Sequence, residues 1–381
     1  MPGAPKGRTP ALLAAVPRQA ASAALPGAPK ANGLRLGLAL AIGLAALALA
    51  PAARAQAPDP RGVDPAAPNP LVGANWFVDR DWAPAWREYR HLQHTHHPGE
   101  AGLIMKIARN PQFKWFGDWA GHTSPERTMR SYFERMDREQ PGAVPQLVSM
   151  RHEGRACNPH YTGGGQRGDA AYRSWIRGFA RAVGQRRVVI AFEPDSLGTV
   201  DCLAKSRRKA RLRMLRYGVD VLSKLPNATV YLEAGASDWE QPTVVAHKLR
   251  AIGIAKVRGF MVNATHQDTT RHNIQHCRDV SRLVGGKHCI INTSHNGNGP
   301  LHYRQWINRS KHLWRTINVW CNPPTEALGA QPTTNTADPV VDAYLWIERP
   351  GFSNGSCNGG PKTGAWWTKR ALLMAKRADW N

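Results

Sequence analysis

The sequence predicts an α/β fold in which a parallel β-sheet closes into a barrel. Short runs of β-branched and apolar residues recur along the chain, as expected for strands that are buried on both faces. Amphipathic stretches separate several of these runs, and strand–helix–strand order at this spacing is typical of a parallel sheet with crossover connections. Seven or eight such units in one domain favour a barrel over an open sheet.

The chain begins with a predicted export signal over residues 1–55. An apolar run from Arg35 to Ala50 follows basic residues, and Ala53-Arg54-Ala55 has the small-residue pattern of a cleavage site. The run is about 15 residues long, whereas a membrane-spanning helix needs roughly 20. We therefore expect cleavage near Ala55 and a secreted protein, extracellular or periplasmic, without a membrane span.

Residues 56–69 are rich in Pro and Ala and are predicted to form a linker, and residues 70–381 are predicted to form one domain that acts as a monomer. The predicted strands of this domain cover residues 114–116, 145–150, 187–192, 228–232, 259–263, 288–292 and 341–347. The predicted helices cover residues 171–183, 209–225, 242–254 and 271–284.

The formal net charge of the chain is +24, which raises the question of a polyanionic partner. Apart from short clusters such as residues 205–209, the basic residues are scattered along the chain, so we do not expect nucleic acid as a partner.

All six cysteines lie beyond the predicted signal, and an even number in an exported protein predicts disulfides. Six cysteines allow fifteen connectivities. Metal-type C-x-x-C spacing is absent from the sequence, so we expect no zinc site.

Polar and aromatic residues follow the predicted strands directly, at the end that carries the chemistry in parallel barrels. A single carboxylate at such a position could merely cap a helix. Polar or aromatic residues follow six of the predicted strands, however, which favours a site there: 115–119, 193–195, 233–239, 263, 293–298 and 348–354. Paired carboxylates and tryptophans suit glycosidic cleavage, in which one carboxyl group protonates the leaving oxygen. The sequence contains no serine elbow, phosphate loop or dinucleotide fingerprint, which disfavours esterases, kinases and dehydrogenases, and we expect no cofactor.

Six motifs occur in order along the domain: AYRSWI at 171–176, AFEPDSL at 191–197, NTSHNGNGP at 292–300, WCNP at 320–323, TTNTADP at 333–339 and DAYLWI at 342–347. With these motifs in this order, the domain resembles family-6 glycoside hydrolases. The resemblance covers residues 70–381 as a catalytic domain. It implies a distorted, seven-stranded parallel β/α barrel that is TIM-like, β-1,4-glucan (cellulose-like) polysaccharide as the substrate, and hydrolysis with inversion.

Carried over residue by residue, the resemblance assigns Asp195 as the proton donor. It assigns substrate binding to Trp115, Trp239, Asn263, Trp320, Glu348 and Phe352. It pairs Cys157 with Cys202 and Cys321 with Cys357, and it leaves Cys277 and Cys289 for a third bridge.

The chain departs from the family pattern around the reacting sugar. Met150 stands for a tyrosine, Ala156 for an aspartate and Ala236 for a histidine, while Glu233 stands for an aspartate. In the last loop Glu348, Phe352 and Asn354 replace a lysine, a glutamate and the candidate base aspartate. An amide cannot accept a proton from water, so Asn354 cannot be the base, and Glu348 and Glu233 become the candidates.

These observations leave three functions open. The first is an active hydrolase whose base is relocated or acts through a water. The second is a carbohydrate-binding protein on a hydrolase scaffold with little turnover. The third is an envelope-associated or nucleic-acid-binding protein whose basic surface is its main feature.

Overall fold

The computed structural model describes residues 68–117, 119, 124–152, 168–336 and 338–380. The predicted export signal and nearly all of the predicted linker lie outside these residues. No helix in the described ranges combines the length and the apolar character that a bilayer span requires.

The central sheet has seven parallel strands and is curled into a half-barrel, which confirms the predicted fold class. Its first six strands are β1 (Lys114–Gly117), β2 (Gln146–Met150), β3 (Val188–Phe192), β4 (Ala228–Glu233), β5 (Gly259–Val262) and β6 (His288–Asn292). An antiparallel hairpin, β7 (His302–Asn308) and β8 (Leu313–Asn318), follows β6 and was not predicted. The seventh strand of the sheet is β9 (Val341–Leu345), which pairs with β6.

Eight helices are present in the described residues, and the four predicted helices correspond to α4–α7 in the following set. They are α1 (Pro84–His94), α2 (Pro98–Ala108), α3 (Pro125–Glu139), α4 (Asp169–Val183), α5 (Lys205–Leu222), α6 (Pro242–Ile252), α7 (Thr270–Leu283) and α8 (Thr368–Lys376). The first three begin at a proline, a residue that often marks a turn but is tolerated at the first helical position, where its missing N–H costs nothing.

Both faces of the sheet are buried, which explains why its strands are apolar without alternation. Val148, Val189 and Ile290 point into the barrel. Their neighbours along the strands, among them Leu147 and Ile190, pack under the surrounding helices.

The two edges of the sheet meet where β9 ends. The amide of Phe113 donates to the carbonyl of Trp346 at 3.1 Å, and Trp115 Nε1 donates to the carbonyl of Ile347 at 2.7 Å. Because every strand of the sheet runs in the same direction, all of their carboxyl ends lie at one mouth of the half-barrel, and the residues that follow β3, β4, β5, β6 and β9 are brought together there.

Candidate active site

Asp195 lies in a tight loop directly after β3, and the backbone of this loop is strained. Glu193 and Asp195 have φ angles of 55° and 65°, in the left-handed region that residues with side chains seldom adopt. The amide and the hydroxyl of Thr199 both donate to the Asp195 carbonyl, at 3.0 and 2.6 Å. Strained residues persist only where the surroundings hold them, and they concentrate at functional sites.

Glu193 anchors this loop to the end of β2. One of its carboxylate oxygens accepts from the amides of Arg151 and His152, at 2.7 and 2.8 Å. The other accepts from the hydroxyls of Ser149 and Tyr172, at 3.2 and 3.3 Å. All of these partners are internal to the protein, so Glu193 positions the loop and does not contact the substrate.

Glu233, at the end of β4, holds the same loop from the other side. Its Oε2 accepts from the amides of Leu197 and Gly198 at 2.6 and 3.3 Å, and its Oε1 accepts from the amide of Gly235 at 2.6 Å. Burial and the charge of Asp195 raise the pKa of Glu233 to about 8. Both oxygens face amide donors and the residue is 2% exposed, so no side of the carboxylate is open to a water. The structure therefore favours a loop-positioning role for Glu233 over the predicted role as a base.

The carboxyl group of Asp195 is almost entirely enclosed. It is 5% exposed, and the hydroxyl of Thr265, from the loop after β5, donates to its Oδ1. Burial raises the pKa of Asp195, against the lowering effect of the Thr265 hydrogen bond and of His266 nearby. A carboxyl group that keeps its proton to higher pH than an exposed aspartate meets the first requirement of a general acid.

Trp239 is held beside this loop by a histidine and a glycine. The rings of Trp239 and His266 are stacked, 4.7 Å apart and 11° from parallel, and His266 Nδ1 lies 2.9 Å from Asp238 Oδ1. Burial lowers the pKa of His266, but the hydrogen bond and charge of Asp238 outweigh it and raise the pKa overall. A Cβ on Gly198 would overlap the indole, so Trp239 fits against the loop only because that residue is glycine.

Glu348 follows β9 and is the open carboxylate of the mouth in the described residues. It is partly exposed, and Asn354 Nδ2 donates to its Oε1 at 3.2 Å. Burial, with smaller contributions from the charges of Asp195 and Glu326, raises the pKa of Glu348 to about 7, although Arg349 and Arg370 oppose the shift. Unlike Glu233, it has an oxygen, Oε2, that accepts no hydrogen bond from the part of the protein that the structure describes.

Arg370, on α8, determines which way the Asn354 amide points. Its Nη2 donates to Asn354 Oδ1 at 2.8 Å, and the Asn322 amide donates to the same oxygen at 3.4 Å. The guanidinium is itself held by a two-point contact with Glu326, with both N–O distances 2.6 Å. With Oδ1 committed to these donors, Nδ2 must face Glu348.

The predicted aromatic positions come from four segments of the chain, in β1 and after β4, β8 and β9. Trp115 packs inside the barrel and reaches the residue before Glu348 through its bond to Ile347. Trp320 follows the hairpin, and its carbonyl accepts from Gln267 Nε2 at 3.0 Å. Phe352 is 8% exposed and lies edge-on to Trp366, and the Arg349 guanidinium lies 3.9 Å from the centre of its ring.

Asn263 lies directly after β5, as expected, but its side chain is turned into the protein. Its side chain is completely buried, and Nδ2 donates to the carbonyls of Asp268 and Asn292, each at 3.1 Å. Its Oδ1 accepts from the Asp268 amide at 3.1 Å. With donors and acceptor engaged inside the protein, Asn263 joins β5 and β6 and supports the loop that carries Thr265.

Two disulfides are seen in the described residues, Cys277–Cys289 between α7 and β6, and Cys321–Cys357 between two loops of the mouth. Both are pairs expected from the sequence. Cys202 is disulfide-bonded, and its expected partner Cys157 lies outside the described residues.

The apolar departures from the family pattern also lie at the mouth. Met150 is the last residue of β2 and packs inside the barrel, and Ala236 is completely buried in the loop after β4. Neither side chain carries a nitrogen or oxygen atom that could hydrogen-bond to a sugar hydroxyl. Ala156 lies outside the described residues.

Sequence reasoning missed several residues that shape the site. Thr265 and His266 directly follow the predicted fifth strand, and the strand-end rule that selected Asn263 would have found them. Arg370 and Glu326 had no such signal, because their contact joins residues 44 positions apart in irregular and helical segments.

Comparison with known proteins agrees with this architecture. The profile described as "Glycosyl hydrolases family 6" matches residues 71–378. "Endoglucanase A" of Cellulomonas fimi is 33% identical over 314 residues, which cover 82% of this chain and 63% of that protein. "Endoglucanase 1" of Streptomyces sp. (strain KSM-9) is 34% identical over 269 residues, which cover 69% of each protein.

Solved structures share the fold. The endoglucanase Cel6 from Mycobacterium tuberculosis, solved in complex with methyl-cellobiosyl-4-deoxy-4-thio-β-D-cellobioside, has a TM-score of 0.71 and 33% identity, covering 81% of this chain and 99% of that one. The endoglucanase CEL6B from Humicola insolens is 17% identical, with a TM-score of 0.65 over 82% of this chain and 99% of that one, and shows the fold alone.

Proposed function

This chain belongs to glycosyl hydrolase family 6, and from that premise we propose that it is a secreted enzyme that hydrolyses β-1,4-glucan or a related polysaccharide with inversion. The chain spans 63% of the length of the Cellulomonas fimi relative, so the activity is proposed for the domain present here. The observation that carries the proposal is the pairing, at one mouth, of a buried carboxyl group of raised pKa, Asp195, with a more open carboxylate, Glu348.

Asp195 acts as the general acid. Its proton passes to the glycosidic oxygen as the bond to the anomeric carbon breaks, which removes the need to expel an alkoxide. The Thr265 hydroxyl donates to Oδ1 and thereby fixes the orientation of the carboxyl group. The clamp formed by Glu233 on the amides of the loop keeps the strained backbone, and with it the carboxyl group, in place.

Glu348 acts as the general base. In an inverting reaction the base takes a proton from a water that attacks the opposite face of the sugar, and the two carboxyl groups stand far enough apart to admit that water. Asn354 orients Glu348 by donating to its Oε1, which leaves the other oxygen for the water. The amide at the family's base position thus becomes a positioning residue for a carboxylate that has moved to a neighbouring position.

The second candidate function is carbohydrate binding without significant turnover. Asn354 favours it, because a side chain that cannot accept a proton occupies the position where the resemblance places the base. Binding would then rely on Trp239, Trp320 and the other aromatic side chains of the mouth.

A reducing-end assay of the purified protein separates these functions. The panel contains cellulose, mixed-linkage glucan, a soluble β-1,4-glucan and an acidic polysaccharide, and the anomer released first is identified by NMR. We expect Asp195→Asn to lower the rate by about 100-fold or more on substrates with poor leaving groups. The matched control Asp137→Asn, on the exposed surface of α3, should keep the wild-type rate.

Three outcomes decide the question. A rate unchanged by Asp195→Asn would refute the assignment of the acid. Binding of glucan by a wild-type protein that releases no reducing ends would establish the second function. Release of the retained anomer would refute inversion.

We further propose that the protein is exported as a monomer after cleavage near Ala55. The disulfides of the structure support an oxidising compartment. Intact-mass analysis of the natural protein should give a chain that begins near Gln56, and light scattering should give the monomer mass. A full-length chain found only in the cytoplasm would refute export.

A further inference from the structure

The hairpin formed by β7 and β8 stands apart from the packed core. Residues on both of its faces are exposed, and four of the ten large hydrophobic side chains that are exposed in the described residues belong to it: Tyr303, Ile307, Leu313 and Trp314. An isolated two-stranded hairpin is marginally stable in water, and exposed apolar side chains that cluster in this way mark interaction sites.

The hairpin is also strongly cationic. Residues 302–318 contain Arg304, Arg309, Lys311 and Arg315 and no acidic residue. Arg315 donates to Gln305 Oε1 across the hairpin, and among the described residues none of the four cations forms an ion pair with a carboxylate. Four positive charges without a protein counter-charge create a local field that attracts a polyanion.

The base of the hairpin is joined to the candidate active site. Asn318 Nδ2 donates to Asp238 Oδ2, on the carboxylate that binds His266 under Trp239. Trp320 follows two residues later. The foot of the hairpin therefore lies beside the loop that carries Trp239.

One face of the hairpin continues this path outward. Residues that lie opposite one another in an antiparallel pair share a face, and so do alternate residues of each strand. The pairs Arg304 with Thr316 and Trp306 with Trp314 consequently lie on the same face as Asn318. The two indoles stack on each other, so this face presents an aromatic platform beside a guanidinium group.

We propose that residues 302–318 form a binding arm for an anionic polysaccharide, a chain of carboxylate-bearing pyranose sugars that extends from the cleft. The indoles provide a flat apolar surface for sugar rings, while Arg304 on the same face and Arg309 and Lys311 in the turn bind carboxylates on the same chain. The position of the arm at the mouth favours a polysaccharide over nucleic acid, although basic and aromatic side chains in combination also bind single strands. This inference rests on the proposed glucan cleft for the direction of the chain but not for binding to the arm itself.

The test uses two soluble polymers with the same β-1,4-glucan backbone, carboxymethyl cellulose, which is anionic, and hydroxyethyl cellulose, which is neutral. Dissociation constants are measured by calorimetry in the Asp195→Asn background, in which cleavage of either polymer is expected to be slow. The test variant Arg304→Gln/Arg309→Gln/Lys311→Gln removes three charges from the arm. The matched control Lys209→Gln/Arg213→Gln/Arg216→Gln removes three charges from exposed positions of α5, on the outside of the barrel.

We expect the arm variant to weaken binding of carboxymethyl cellulose about tenfold, the scale of three exposed charge pairs, and the loss to shrink at high salt. Binding of hydroxyethyl cellulose, and hydrolysis of neutral glucan by the arm variant with Asp195 intact, should stay at the wild-type level. An equal loss in the α5 control would show that net charge, not the arm, attracts the polymer and would overturn the proposal. So would tighter binding of a single-stranded oligonucleotide that is lost in the same arm variant.

The binding test of the arm can fail while the proposed hydrolase activity is found, and the reverse. A protein that cleaves no glucan but loses carboxymethyl cellulose binding in the arm variant supports the arm and refutes the hydrolase. A protein that cleaves neutral glucan and binds carboxymethyl cellulose equally well with and without the arm charges refutes the arm alone.

Discussion

Replacing Asn354 with aspartate tests the assignment of Glu348 as the base. The resemblance to the family suggests that this substitution restores a lost base and so raises the rate. The structure leads to the opposite expectation, because the Asn354 atom nearest to Glu348 is a donor, 3.2 Å from Oε1. In Asn354→Asp a carboxylate oxygen takes the place of that donor.

The size of the effect follows from the distance between the two groups. Two like charges about 4 Å apart, in surroundings with an effective dielectric constant of about 20, repel by about 4 kcal/mol. At about 1.4 kcal/mol per pKa unit that repulsion corresponds to roughly three units. The Arg370 guanidinium, already shared with Glu326, offsets part of it, and we expect the pKa of Glu348 to rise by about one to two units from its value of about 7.

A base works only when it is deprotonated, so a raised pKa moves the onset of activity to higher pH. The assay measures kcat/KM on a soluble β-1,4-glucan from about pH 4 to pH 10 for the wild type, Asn354→Asp and Asn354→Ala. In the wild type kcat/KM should fall as the pH drops below about 7. In Asn354→Asp this limb should lie about one to two pH units higher, and the rate at neutral pH should fall.

Asn354→Ala is the control, since it removes the hydrogen bond to Glu348 without adding a charge. Its acidic limb should move by less than that of Asn354→Asp. A faster Asn354→Asp enzyme with an unmoved acidic limb would refute this reasoning, because it would place the base at position 354 and not at Glu348.

Three further predictions concern the support of the site. Glu233→Ala should lower the free energy of unfolding by about 1–3 kcal/mol, because the buried amides of Leu197 and Gly235 would lose their acceptor, and urea denaturation measures the loss. Wild-type stability of this variant would contradict the loop-positioning role. Asp238→Asn should lower the pKa of His266, since the aspartate raises it, and an NMR titration of the imidazole that found no change would count against the pair. The double substitution Cys277→Ala/Cys289→Ala should lower the free energy of unfolding by about 3 kcal/mol, because the unfolded chain gains conformational entropy when this cross-link is removed. An unchanged thermal midpoint would argue against the bridge.

The fold and the position of Asp195 at the mouth could be predicted from the sequence because their signals are local. Strands buried on both faces must be apolar throughout, so β2, β3 and β6 can be read from five or six consecutive residues each. Asp195 stands three residues beyond β3, and the parallel arrangement places every such position at one mouth. The hairpin escaped prediction because its exposed strands mix basic, polar and aromatic residues and show no alternating apolar face.

The roles of the other polar residues of the site could be inferred only from the tertiary structure. Asn263 and Glu233 lie at strand ends, where a substrate-binding residue and a general base were expected. The side chains of both residues instead form their hydrogen bonds with other groups of the protein. Asn354 and Glu348 form one unit only because Arg370, brought in by α8, commits the amide oxygen and turns the nitrogen toward the carboxylate. Strand position depends on neighbours along the chain, whereas the role of a carboxylate depends on which donors and charges surround it in space, and those come from segments that are distant in the sequence.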